Sequence, residues 1–179
     1  MSNSAPSASW RRAGPEKVVD CVPDLISCLR EEDADLQVKA MTTLGMVGSR
    51  AKDAVPILDN ILQTNKKETR LAAITTLGKI GPEAAVAVPS LILAFEEVET
   101  LEPAVDAVAR IGKPAVSHLI FALQNPSPRT RYAAALALGR IGPDAKAAIQ
   151  PLAAIYSRDR FPQVRQAASR ALNLIQRKN

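Results

Sequence analysis

The chain is 179 residues long, 47% apolar and 23% charged, with a formal net charge of +5 and only 3% aromatic residues. This composition excludes a wholly disordered chain. It leaves Ala, Leu, Ile and Val to fill the core, which suits closely packed helices better than sheets.

The N-terminal stretch MSNSAPSASWRRAGPEK has no apolar run of the length a signal peptide needs. No later run reaches 18 apolar residues without a charge or a break, so the expectation is a cytoplasmic protein with no transmembrane segment. Residues 1–13, including Trp10, read as a flexible tail. Cys21 and Cys28 are seven residues apart, roughly 10 Å along a helix at 1.5 Å per residue. That is too far for a disulfide and the wrong spacing for a zinc knuckle, so they read as buried thiols.

From residue 14 onward the chain repeats itself. LGMVG at 44–48, LGKIG at 77–81, VARIG at 108–112 and LGRIG at 138–142 align, with a worn LNLI at 172–175. The closing glycines Gly48, Gly81, Gly112 and Gly142 are 33, 31 and 30 residues apart. GPEKVVDCVPDLISCL at 14–29 matches GPEAAVAVPSLILAF at 81–95, which places the first unit's start at Gly14. The units are 14–48, 49–81, 82–112, 113–142 and 143–176, within a single domain spanning 14–179.

Each unit supports two helices. Helix A carries apolar residues at helical spacing, as in Leu91, Ile92 and Phe95 or Leu119, Ile120 and Leu123, and ends in a polar turn such as QNPSPR. Helix B follows, with Ala73, Leu77 and Ile80 on one face, and stops at a glycine able to take positive φ. Pro15, Pro82 and Pro143 then fall in a first turn, where proline costs no hydrogen bond. Ala40, Ala73, Ala104, Ala134 and Ala168 are equivalent and small enough for helix pairs to approach closely. Helix ends account for the glycines.

With these residues in view, the sequence resembles HEAT repeats, in particular the short bacterial type also found in phycobilisome bilin lyase subunits. The resemblance rests on TRLAAITTLGKIGPEA (69–84), TRYAAALALGRIGPDA (130–145) and VRQAASRAL (164–172), and it covers about residues 14–176. It implies an all-α fold, a right-handed α-α superhelix (solenoid) of about five helical hairpins. The family's arginine near the start of helix B is matched by Arg70, Arg131 and Arg165, with Gln37 and Leu101 in its place in units one and three. In the family it often meets an acid six residues earlier. Here that position holds Glu31, Thr64, Phe95, Asn125 and Asp159, so only Asp159 and Arg165 are expected to pair. Pro103 and the shortened joint IGKPAVSH are expected to bend the stack at unit three.

A single helical pair cannot bury its apolar face. Stacking five creates a continuous core and a long surface suited to binding. The resemblance implies that helices B form the inner, concave layer. Their face away from the core is read as Val38, Thr42 and Met46; Leu71, Thr75 and Lys79; Glu102, Asp106 and Arg110; Tyr132, Leu136 and Arg140; and Gln166, Arg170 and Leu174. This line varies from unit to unit while the core positions repeat their chemistry. Its mixture of apolar and charged side chains reads as a contact surface for a partner. The alternative is that these side chains pack in part against adjacent helices.

Charge is uneven. Residues 1–128 carry 13 Lys/Arg and 16 Asp/Glu, a net of −3, while residues 129–179 carry 10 and 2, a net of +8. The basic end, with Arg129, Arg131, Arg140, Lys146, Arg158, Arg160, Arg165, Arg170, Arg177 and Lys178, could attract an acidic protein, an anionic membrane or nucleic acid. It could equally solvate the C-terminal cap and complement helix dipoles. Glu96, Glu97, Glu99, Glu102 and Asp106 form an acidic patch in unit three.

No catalytic constellation emerges. His118 is the sole histidine and reads as a surface residue, and no phosphate loop, nucleophile elbow or Cys/His cluster is present. No metal or cofactor is implied. The expected function is a non-enzymatic module or assembly scaffold that binds another protein, one carrying an acidic patch if the basic end is used. Two alternatives stand beside it. Nucleic acid could bind the basic C-terminal units, although the only Trp lies in the tail and the acidic patch interrupts the surface. The resemblance also allows a bilin lyase-like protein or pigment-protein chaperone, with Arg110, Arg140 or Arg170 meeting a tetrapyrrole's propionates and Tyr132 and Leu136 its rings.

Overall fold

The computed structural model describes residues 19–63 and 66–177. The proposed tail, Trp10, Gly14, Pro15, Thr64 and Lys178 lie outside the described residues. Among the described residues there is no strand, and the helices alternate in pairs. The first helices are α1 (Val22–Cys28), α3 (Val55–Leu62), α5 (Val88–Leu93), α7 (Val116–Ala122) and α9 (Ile149–Arg158). The second helices are α2 (Ala34–Val47), α4 (Lys67–Ile80), α6 (Val98–Ile111), α8 (Pro128–Ile141) and α10 (Pro162–Gln176). Each second helix packs on the second helix of the next pair, so the chain forms an all-α solenoid.

Local chemistry sets the boundaries. Asp33 caps α2 by accepting from the Leu36 N–H at 3.1 Å, and Ser127 accepts from Thr130 to cap α8. The second helices of the first four pairs close at Gly48, Gly81, Gly112 and Gly142, with φ of 65°, 79°, 75° and 68°. At Gly142 ψ is −137°, a combination that a Cβ forbids. Pro82 and Pro143 then open 3-10 turns, Gly81–Ala87 and Gly142–Ala148, that lead into the next first helix. The joint after Gly112 is a turn of three residues, Lys113–Ala115, rather than seven. Helix α6 runs unbroken through Pro103, which removes one N–H from the second turn but leaves the helix continuous.

The core is one seam between the two layers. Leu25, Leu44, Leu58, Leu77, Leu91, Val108, Leu119, Leu138 and Leu152 are fully buried along its length, as are Ala40, Ala73, Ala104, Ala134 and Ala168. Cys28 joins the core, whereas Cys21 is only half-buried because it sits in the turn before α1. The stretch Lys67–Glu96 is long and apolar enough to cross a membrane by length and composition. It is nevertheless divided into α4 and α5 at Gly81, and half of its most apolar window is buried.

Helix ends do not account for all the glycines. Gly78 lies inside α4, where a Cβ would stand 2.7 Å from the Ala107 Cα of α6, so this glycine sets the spacing of two repeats. Gly139 has the same relation to Ala171 of α10, at 3.0 Å.

The polar links between repeats also differ from the expectation. Arg165 donates from Nη1 to the backbone carbonyl of Asp159 at 2.8 Å, not to its carboxylate. Arg131 does the same to Asn125, and Gln37 Nε2 to Glu31. The residue six positions on therefore supplies a donor to a carbonyl near the end of the first helix, a group left without an intrahelical partner. The Asp159 carboxylate instead receives Arg131 of the preceding repeat, at 2.6 Å from Nε and 3.1 Å from Nη2. Arg70 likewise reaches forward to Glu97 at 2.8 Å.

Candidate binding face

The side chains read as a contact line all lie on the second-helix layer. Val38, Leu71, Tyr132 and Leu136 are half-buried, and Thr42, Thr75, Lys79, Glu102, Asp106, Arg110, Arg140, Gln166 and Arg170 are exposed. The hydroxyls of Thr42 and Thr75 donate back to the Val38 and Leu71 carbonyls in their own helices, so these donors are satisfied without a partner.

Two clefts open on this layer. One, of about 350 Å³ between α4 and α6, brings together Thr75, Lys79, Glu102, Asp106 and Arg110. The other, of about 540 Å³ between α8 and α10, brings together Tyr132, Leu136, Gln166 and Arg170. Val38, Thr42, Leu71 and Arg140 line neither.

Arg140 is occupied within the molecule. Its guanidinium reaches from α8 to two carboxylates on α6, with Nη1 2.7 Å from Asp106 Oδ1 and Nη2 2.8 Å from Glu102 Oε2. Against the desolvation of the guanidinium, the hydrogen bonds and charges of Glu102 and Asp106 raise its pKa. The acids of the third repeat are similarly paired. Glu99 meets Lys67 at 2.8 Å, a hydrogen bond that lowers its pKa, and Glu97 meets Arg70. Glu96 accepts from the hydroxyls of Ser127 and Thr130. These acids remain exposed, but each is paired and ties the third repeat to its neighbours on both sides. The sequence hid this because the partners lie about one repeat away.

The cleft between α8 and α10 has a different character. Leu101, Tyr132, Leu136, Val164 and Ala167 give it an apolar lining, and Arg129 and Arg170 add positive charge. Neither arginine has a carboxylate within 4.0 Å among the described residues. Phe161 forms part of the wall, and its ring carries two guanidinium groups, Arg160 at 4.9 Å and Arg131 at 5.8 Å from the centroid. Leu101, Arg129, Phe161 and Gln163 are cleft residues that a single i, i+4, i+8 line misses, because a cleft between helices draws on two faces of each helix.

The first-helix layer carries an apolar hollow of about 430 Å³ lined by Pro89, Ile92, Leu93, His118 and Phe121. His118 is exposed there, as its sequence position suggested, beside the exposed Leu93 and Phe121. Among the described residues, no group of three or more His, Cys, Asp or Glu side chains could hold a metal ion.

Similarity to known proteins bears on the repeats. The family model for HEAT repeats matches residues 22–94 and 88–173. No curated protein sequence shows a significant match. Among solved structures, the archaeal HEAT-like repeats protein from Thermococcus onnurineus NA1 is similar with a TM-score of 0.59 at 13% identity, over 90% of this chain and 78% of that one. The complex of CpcE and CpcF of phycocyanin lyase from Nostoc sp. PCC7120 matches with a TM-score of 0.54 at 23% identity, over 86% of this chain and 98% of that one. A designed armadillo repeat protein in complex with the peptide (KR)4 matches with a TM-score of 0.54 at 16% identity, over 92% and 87%. Two tandem matches to one repeat model, on a solenoid built of helical pairs, place this chain in the HEAT-repeat family.

Proposed function

We propose that the protein is a non-enzymatic binding module or assembly scaffold that holds a protein partner along the concave face formed by the second helices. One observation carries this reading: nine of the side chains that vary between repeats gather in two clefts on that face. Core positions must repeat because each pair stacks on the next, whereas a partner imposes no such periodicity on the open face. The similar solenoids include one holding a peptide and one forming a two-protein complex, which supports the same use.

A photo-crosslinking residue placed at Thr75 or Gln166, both exposed on this face, tests the proposal in native extract against the same residue at Ser117 on the other layer. Protein adducts from the first two positions and none from Ser117 are expected. Adducts from Ser117 alone would overturn the assignment of the face.

A second reading, a pigment-protein chaperone, has one observation in its favour. Tyr132, Leu136 and Arg170 share a cleft of about 540 Å³ with Arg129, which joins an apolar surface to cations suited to carboxylates. Arg110 lies in the other cleft and Arg140 is bound to Glu102 and Asp106, so two of the three arginines suggested for propionates are elsewhere.

A further inference from the structure

We infer that the cleft between α8 and α10 selects a peptide segment that alternates acidic with aliphatic or aromatic side chains. The inference rests on the protein-binding reading above and adds the chemistry of the partner. Three features of the cleft converge on it.

The first is charge without compensation. Arg131 and Arg140, the other arginines of α8, are engaged by Asp159 and by the Glu102 and Asp106 pair. Arg129 and Arg170 have no carboxylate neighbour among the described residues. Arg129 uses one Nη to donate to the Glu96 backbone carbonyl, which fixes its position without neutralising it. The cleft's lining contains no acidic residue at all. A carboxylate entering it therefore meets two cations and no acidic side chain in the wall, although the Glu96 carboxylate lies nearby on Ser127 and Thr130, whereas a basic side chain is repelled by both arginines.

The second is the apolar surface between those cations. Tyr132 and Leu136 are half-buried one helical turn apart on α8, and Val164 and Ala167 face them from α10. Val164 and Ala167 are buried and form its floor, so the exposed parts of Tyr132 and Leu136 offer a place for an apolar side chain next to the arginines, which suits a mixed segment better than a purely acidic one.

The third is the orientation of the helices. Pro128 and Gln163, in the first turns of α8 and α10, both line the cleft. The positive ends of two helix dipoles thus add to the field of Arg129 and Arg170. The cleft between α4 and α6 differs, because Glu102 and Asp106 lie in its wall.

The test uses the full chain and three fluorescent peptides: (Glu-Leu)4, (Lys-Leu)4 and (Glu-Gly)4. Fluorescence anisotropy should show (Glu-Leu)4 binding at least about tenfold more tightly than either of the others, with affinity falling as salt rises. Arg170→Glu should weaken (Glu-Leu)4 by about tenfold or more, whereas Lys79→Glu in the other cleft should change it by less than about twofold. Thermal melts establish that both variants fold, and because both side chains are exposed no unfolding is expected. Equal binding by Arg170→Glu, a preference for (Lys-Leu)4, or equal affinity for (Glu-Gly)4 would overturn the inference. So would tighter binding of a thymidine dodecamer or of phosphatidylserine vesicles at the same Arg170-dependent site. If no peptide binds while crosslinks still form at Thr75 and Gln166, this inference fails and the protein-binding reading stands. If those crosslinks are also missing, both fail.

Discussion

Arg131 of the fourth repeat grips Asp159 of the fifth through two hydrogen bonds, Nε to Oδ2 at 2.6 Å and Nη2 to Oδ1 at 3.1 Å. Both side chains are largely shielded, 12% exposed for Arg131 and 4% for Asp159, so each depends on the other to offset its desolvation. Arg131→Ala leaves the Asp159 carboxylate without its principal partner. We expect a loss of about 3 kcal/mol in chemical denaturation. Arg165→Ala, which removes a bond only to a carbonyl, should cost about 1 kcal/mol.

The same pair sets an acid response. The Arg131 hydrogen bond holds the Asp159 carboxyl below its ordinary value of 3.8 against desolvation, helped by the Phe161 N–H and by the charges of Arg131 and Arg165. A carboxylate with a depressed folded pKa contributes fully above its unfolded pKa and loses that contribution as pH falls towards the folded one. Stability measured by denaturant titration should therefore fall less between neutral and acid pH in Asp159→Asn than in the wild type. Parallel curves would show that Asp159 does not carry this dependence.

Two glycines inside helices should respond to alanine with opposite signs. Intrinsic propensity favours alanine by about 1 kcal/mol at each. At Gly78 the new Cβ would meet the Ala107 Cα at 2.7 Å, a backbone atom in a neighbouring repeat, so overpacking should win and cost about 1–3 kcal/mol. At Gly45 the Cβ would meet the Lys79 Cδ at 2.8 Å, part of a flexible exposed side chain that can move aside. Gly45→Ala should be neutral or stabilising by up to about 1 kcal/mol in thermal unfolding.

Charge reversal should separate folding from binding. Arg140→Glu places a third carboxylate beside Glu102 and Asp106, so it should lower the melting temperature as well as alter the face. Arg170→Glu meets no carboxylate neighbour and should leave the melting temperature within about a degree or two. Leu77→Asp, at a fully buried position, should abolish cooperative unfolding by adding an unpaired charge to the core at a cost of several kcal/mol.

The fold was legible because stacking leaves local marks. Gly81 and Gly142 end helices, Pro82 and Pro143 open the next turn, and Ala73 and Leu77 lie on one face, all within a window of one repeat. The helix-interior role of Gly78 was hidden, since its neighbour Ala107 lies in the following repeat. For the same reason the acidic patch looked unpaired: Glu97, Glu99 and Glu102 meet Arg70, Lys67 and Arg140, and nothing within the third repeat shows it. Tyr132, Leu136 and Arg170 could be read from helical spacing, but Phe161 and Arg129 could not. They reach the cleft only because α8 and α10 lie side by side.

The most direct test of the binding role is capture from native lysate with purified wild-type protein and two folded variants. One carries Lys79→Glu, Arg110→Glu and Arg170→Glu on the second-helix face, and the other carries Leu93→Ser and Phe121→Ser on the first-helix layer. Eluates are treated with nuclease, then read by mass spectrometry and visible absorption. The account predicts a nuclease-resistant protein partner that is retained by the first-layer variant and lost by the second-face variant. Recovery only of nucleic acid, a bilin spectrum that follows Arg170 with no protein partner, or a partner lost only with Leu93 and Phe121 would contradict it.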